Sequence, residues 1–455
     1  MGKRIVALLG AIIGLTLVLG LVATPFWLGM QAEEGYQAWV AELGTDGASV
    51  GPSSYDRSFL GATADTTYTV PSNLGPMTIK VTSSVAHGPF PFDDQFGFEP
   101  KAARLTSVVD VSIKMGEVVA KFPPIRAVTN VDFGGIAQAE LQAPAGKQQF
   151  GDKAVEWQAV SGQARIERDT RRRTLDLTVP QLKITEANKS STFTKFQFAS
   201  DQQRGASGLQ LGSFNVGVDR LVFDGAGPEI GGLQFTTSAQ ETGGSVTMNF
   251  TLRLRDLKSG DTSIGPGELG VVVRKLDAAT LAKIDRQLQA QRKQGGALEL
   301  GKLVELMAEL ANKGPELELT RLSIKTKEGE ASGKFKLGIT PSREDLKQNP
   351  MLVLRQLTGE GEFTLTEGMM AVLADEEIRK EIEGFKEQGK LSSAEAKRLS
   401  PRKMQAISSQ ARPAYVQRVA KRYHMAQDGN NYKVQTQLKR GELTVNGEAV
   451  QLGGQ

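Results

Sequence analysis

The chain has 455 residues, no cysteine, two histidines and a formal net charge of +4. The missing thiols exclude disulfides, cysteine nucleophiles and thiolate metal sites. His87 and His424, most of a chain length apart, argue against zinc. The charge is uneven: Lys3 and Arg4 precede an apolar start, nine Lys and Arg between Lys390 and Arg422 face Glu395 alone, and the remainder is mildly acidic. The net value is therefore no argument for nucleic acid.

No residue from Ile5 to Met30 is charged. About 20 helical residues cross a bilayer's hydrocarbon at 1.5 Å per residue, so residues 1–30 are expected to form a single-pass transmembrane anchor, with residues 5–30 in the membrane. Trp27 suits the far interface, and Pro25 lies near one end of the run. Basic residues before the run, with Glu33 and Glu34 after it, place the N-terminus in the cytoplasm and the body outside. A cleaved signal peptide has a shorter apolar core and a small-x-small site, and no Ala-x-Ala follows here.

Residues 31–65 are expected to form a stalk or linker and a first strand, with helix around Glu33 to Leu43. A β-rich body follows over residues 66–366. Met77, Ile79 and Val81 alternate with polar residues, as do Val109, Val111 and Ile113. The pattern recurs at Leu175, Leu177 and Val179, at Phe214, Val216 and Val218, and at Phe335, Leu337 and Ile339. The clearest run is Val246, Met248, Phe250, Leu252 and Leu254, alternating with Thr247, Asn249, Thr251 and Arg253. Strand side chains alternate faces, so this is antiparallel sheet with one apolar and one wet face. Met248, Phe250 and Leu252 are expected to be covered, and Thr247, Asn249 and Arg253 to face water. Leu317 and Leu319 give way to Leu322 and Ile324, a phase shift that predicts a bulge near Thr320–Arg321.

A helical insertion is expected over residues 277–312. Asp277 caps a helix carrying Leu281, Ile284 and Leu288, and a second helix carries Leu300, Leu303, Met307 and Leu310 before Gly314-Pro315 ends it. A longer helical region spans residues 367–425, divided by Pro401 and Pro413. Strands return over residues 426–455, at Val434, Thr436 and Leu438 and then at Leu443 and Val445. The expected fold is α+β and mainly β: a transmembrane helix, then a long, curved antiparallel sheet with packed helices.

Motif-like stretches fail on context. Gly47-Ala48-Ser49-Val50-Gly51 has the spacing of a nucleophile elbow but sits in a Gly/Ser-rich linker, not between strand and helix. Gly329 to Lys334 faintly suggests a phosphate loop, but its spacing is wrong and Phe335 stands where Ser or Thr is needed. Asn188-Lys189-Ser190 and Asn249-Phe250-Thr251 are chance sequons. His87 with Asp93 and Asp94 is the one place where histidine, carboxylates and an aromatic side chain gather. The structural reading is preferred: Gly88 and two prolines fix a turn, Phe90 enters the core, and His87 bonds a nearby backbone group. The basic block, with Arg402, Lys403, Arg418, Lys421 and Arg422, reads as a solvated helix face or a contact for anionic headgroups or a partner. Tyr415 is its lone aromatic, which argues against nucleic acid.

Tyr55, Arg57 and Phe59 precede the pentapeptide His87-Gly88-Pro89-Phe90-Pro91. The helix pair precedes Leu322-Ser323-Ile324 and Gly329-Glu330, and the chain closes with Gly441-Glu442-Leu443-Thr444-Val445-Asn446-Gly447. In this order, behind an apolar start, the chain resembles the YdgA-like envelope proteins of Gram-negative bacteria from anchor to end. The resemblance implies an inner-membrane anchor and a periplasmic body. It supplies no activity and no catalytic residues.

The expected role is non-enzymatic: a curved sheet holding lipid or another apolar ligand on the Val246–Leu254 face. The rivals are a structural protein that self-associates into a homo-oligomer through the sheet, and an enzyme of unrecognised type. No cofactor, metal or nucleic-acid partner is expected. The membrane is the expected partner.

Overall fold

A computed structural model describes residues 24–450, apart from 26, 39, 42–47, 72–74, 92–98, 116–117, 188, 226, 261, 295–299, 342–352 and 388–400. The anchor expected at residues 1–30 falls almost wholly outside these. Among the described residues no helix is long and apolar enough to cross a membrane. Residues 27–38 are helical.

The protein is mainly β, and every described strand pairing is antiparallel. It packs as two compact units: residues 1–225 with 285–298, and residues 226–284 with 299–455. The boundary falls inside the segment read from sequence as one body.

In the first unit the strands follow one another as a meander. Ser49–Arg57 pairs with Gly61–Val70, that with Met77–His87, and that with Ala103–Met115. Three long strands, Arg172–Glu186, Lys189–Arg204 and Gln210–Phe223, stack Leu177, Phe198 and Val216 side by side across the sheet. At the N-terminal end the core is built from small residues. Ala62, Val85 and Ala103 are buried together, with Tyr55, Leu105 and Val131 around them. The Ser83 and Ser107 hydroxyls, also buried, bond each other at 2.7 Å.

In the second unit Glu229–Thr242, Ser245–Leu254, Thr262–Asp277, Glu316–Thr326, Glu330–Ile339, Leu357–Thr366 and Asn431–Lys439 lie in order across the sheet. The register slips between Leu319 and Leu322, so the bulge expected at Thr320–Arg321 is present and keeps both leucines on one face. Asp277 caps the Ala278–Gln294 helix by accepting from the Thr280 backbone N–H at 2.9 Å. Helices Glu367–Glu387 and Pro401–Arg422 pack on each other through Met370, Ala374, Val416, Val419 and Ala420, with Tyr432 from the sheet.

Two expectations fail. Pro413 does not divide the helical region; it lies inside the continuous Pro401–Arg422 helix. An interior proline costs about 3 kcal/mol. Here Arg412, next to it, is held by Asp375 at 3.0 and 2.8 Å, and Tyr415, just beyond, packs against the core. Nor is the Val246–Leu254 face uniformly covered. Val246 is 1% exposed, Met248 and Phe250 are half-buried, and Leu252 is 39% exposed. On the other face Arg253 is exposed, whereas Thr247 and Asn249 are half-buried, the Asn249 amide donating to the Ser238 hydroxyl at 3.1 Å. Alternation reports which face a side chain takes, not how much lies over it.

Candidate functional site

His87 ends the Met77–His87 strand and is 1% exposed. Its backbone N–H donates to the Leu60 carbonyl at 2.9 Å. Gly88 N–H donates to the Ala102 carbonyl at 2.8 Å, and Lys101 N–H to the Pro89 carbonyl at 2.9 Å, so the pentapeptide is stitched to the start of the next strand. The Gly88–Pro89 peptide is cis. Phe90 is half-buried and Pro91 buried. Asp93 and Asp94, the carboxylates that made this place chemically suggestive, lie outside the described residues.

The ring of His87 lies under the helical stretch 27–38. A methyl group added at Gly29 would stand 2.7 Å from His87 Nδ1 and Cε1, so only a residue without a side chain lets helix and imidazole approach this closely. Tyr55 Oη lies 3.3 Å from Nε2, while Nδ1 is buried and bonds none of the described residues. The same helix is fastened further along. Tyr36 donates to the Asp65 carbonyl at 2.7 Å, touches the buried Thr66 hydroxyl and packs on the Tyr55 ring at 5.2 Å. Glu33 pairs with Arg57 at 3.6 Å. This docking escaped the sequence reading. The available signal was Leu28, Ala32 and Tyr36 at i, i+4 and i+8, one stripe of a helix.

Burial pushes the Tyr55 phenol up to about 12, with Glu33 adding to the rise and Arg57 opposing it. Burial lowers the His87 imidazole below its ordinary value; the Phe59 backbone pulls the other way and Arg57 reinforces the lowering. The arrangement thus keeps both rings neutral. The Glu33 carboxylate that acts on Tyr55 is paired with Arg57, and the packing of His87 on Gly29 is that of a structural joint.

The sign of the pH effect follows. Between the lowered folded value and the unfolded value of 6.5 the unfolded chain binds the extra proton. The contribution of His87 is complete above pH 6.5 and is lost as pH falls below it. Urea midpoints should therefore drop between pH 7.5 and pH 5.5, and the drop should shrink in His87→Asn. An equal drop in the variant would show that the joint does not titrate.

Three cations of the basic block, Arg412, Arg418 and Arg422, pair with carboxylates of the facing helix. Arg418 pairs with Glu381 at 3.1 Å and lies 4.4 Å over the Tyr415 ring, Tyr415 donates to Glu381, and Arg422 pairs with Glu377. Lys421 is exposed. The side chains of Arg402 and Lys403, in the first turn of the helix, lie outside the described residues. The acidic residues that pair with these three cations come from the facing helix, which a count along the chain does not reveal.

Residues paired across strands share a face. In the second unit Phe235, Leu252, Leu269 and Leu322 form one apolar row, Thr237, Phe250, Val271, Leu319 and Phe335 the next, and Ala239, Met248, Val273, Leu317 and Leu337 a third.

 In the first of these rows Leu269, like Phe235, is as exposed as Leu252, so part of the apolar face stands open to solvent. A depression of about 490 Å³ in this unit is not on that face. It is lined mainly by Lys334, Lys336, Glu360, Glu362 and Gln435, which alternate with the apolar rows. Its two lysines are paired, Lys334 with Glu362 at 3.4 Å and Lys336 with Glu316 at 3.6 Å, as on an ordinary solvated face.

These features define a mainly β protein with a sealed histidine joint and a partly open apolar sheet face. The chain belongs to a bacterial family described as "Bacterial protein of unknown function (DUF945)", whose model matches residues 1–453. No curated protein and no solved structure matches it.

Proposed function

We propose that this is a single-pass protein of the bacterial inner membrane, anchored through residues 5–30 with its N-terminus in the cytoplasm and its body in the periplasm. Its role is non-enzymatic: it holds an acyl chain or similar apolar ligand on the open part of the second unit's sheet. The observation that carries this reading is the row Phe235–Leu252–Leu269, three paired large side chains left open on a face whose neighbouring rows are apolar too. Exposed apolar strips of this kind mark interaction sites. The likeness to YdgA-like envelope proteins and the uncharged run at Ile5–Met30 support the location.

Native mass spectrometry of the full-length protein with its co-purified lipids tests the reading. Leu252→Asp places a charge on the open row and leaves the anchor untouched. The variant is expected to melt near the wild type and to carry less lipid. Unchanged lipid on a folded variant would refute the ligand reading. A lower oligomeric mass with unchanged lipid would instead favour self-association through the sheet.

A further inference from the structure

The turn between strands Ser49–Arg57 and Gly61–Val70 carries two large apolar side chains at its tip. Phe59 is 49% exposed and Leu60 45%. Turn tips ordinarily carry polar or turn-forming residues. The turn is closed by Ser58, whose backbone N–H and hydroxyl both donate to the Gly61 carbonyl, at 2.7 and 2.8 Å, so closure uses neither apolar side chain.

The tip stands beside the start of the helical stretch 27–38. The Leu60 carbonyl accepts from His87 N–H, and the His87 ring lies against Gly29. Close to Gly29 in the helix, Trp27 is 57% exposed and Met30 41%. Tyr36 and the Glu33–Arg57 pair hold helix and hairpin together. Scattered exposed apolar residues need no explanation. Four of them around the point where an uncharged run of sequence enters the fold are not scattered.

We propose that Phe59, Leu60, Trp27 and Met30 form a lipid-contact surface, through which the first hairpin rests in the interfacial layer of the bilayer that the anchor, residues 5–30, enters. The occupant is the bilayer itself, because the chain leads directly from the uncharged run into Trp27. Tryptophan settles at headgroup level, and apolar side chains of surface-bound elements reach roughly 5–10 Å into the headgroup–acyl boundary. The proposal rests on reading residues 5–30 as an anchor.

The chain has no cysteine, so single cysteines report cleanly. Full-length Leu60→Cys, labelled with the fluorophore NBD, is placed in phosphatidylethanolamine–phosphatidylglycerol vesicles with and without doxyl-labelled lipid. Leu15→Cys, inside the run, and Asp152→Cys, in an exposed turn, are the references. The expected result is blue-shifted emission at position 60 that the doxyl lipid largely quenches, with position 152 unaffected. Quenching at position 15 but not at position 60 overturns the proposal and leaves the anchor standing. Quenching at neither position overturns both. Blue-shifted but unquenched emission at position 60 means that protein, such as a second copy, covers the tip, and this also overturns the proposal.

Discussion

Val246→Asp is expected to leave little or no folded protein, whereas Leu252→Asp, six residues along the same strand face, is expected to fold. Val246 is sealed at 1% exposure, where an aspartate would be an unpaired buried charge. Such substitutions sit in the tail of mutational effects, above about 4 kcal/mol. Proteins have only about 5–15 kcal/mol in total. At Leu252 the carboxylate can reach water, and the loss is confined to part of a leucine's burial, which is worth roughly 1.5–3 kcal/mol when complete. Soluble yield and thermal melting of the two variants test the contrast. Equal behaviour would mean that the face is evenly covered or evenly open, and the ligand reading needs it to be graded.

Gly88→Ala is expected to be the most damaging single methyl in the pentapeptide. The added carbon would stand 1.8 Å from the Lys101 carbonyl oxygen and 2.8 Å from that of Ala102, both backbone atoms that cannot step aside alone. Relief means parting the strands and losing the Gly88–Ala102 and Lys101–Pro89 hydrogen bonds. Overpacking of roughly 1–3 kcal/mol, with roughly 0.5–1.5 kcal/mol for each bond, gives a loss of about 2–6 kcal/mol. The control is Gly217→Ala, where the methyl would meet nothing within 4 Å. That variant should match the wild type in urea unfolding. If Gly88→Ala matches it too, the close strand approach does not govern the conformation of the pentapeptide.

Much of the fold was legible because period-two alternation is written locally. The Val246–Leu254 strand, the Asp277 cap and the Thr320–Arg321 bulge each depend on residues a few positions apart. What stayed hidden depends on distant partners. Nothing near His87 in the sequence announces Gly29 or Tyr55, which reach it only once the first hairpin and the preceding helix are folded together. The pairing of Arg412, Arg418 and Arg422 was equally hidden, because Asp375, Glu381 and Glu377 lie on a different helix. The openness of Leu252 depends on what the rest of the unit fails to lay over it, and no pattern within one strand encodes that.

The described strand pairings join strands that are neighbours, or near neighbours, along the chain. Closing short loops costs little entropy, and low contact order favours fast folding. A chain emerging from the ribosome N-terminus first can add each strand to an edge already in place, with one unsatisfied edge at a time as its aggregation risk. Two pairings are delayed by intervening helices. Thr262–Asp277 pairs with Glu316–Thr326 across the Ala278–Gln294 and Leu300–Ala311 helices. Leu357–Thr366 pairs with Asn431–Lys439 across the Glu367–Glu387 and Pro401–Arg422 helices, and Tyr432 belongs to the core those helices build. Completion of the sheet therefore waits on the helix pair, which makes the docking of two helices the natural late step in an otherwise strand-by-strand assembly.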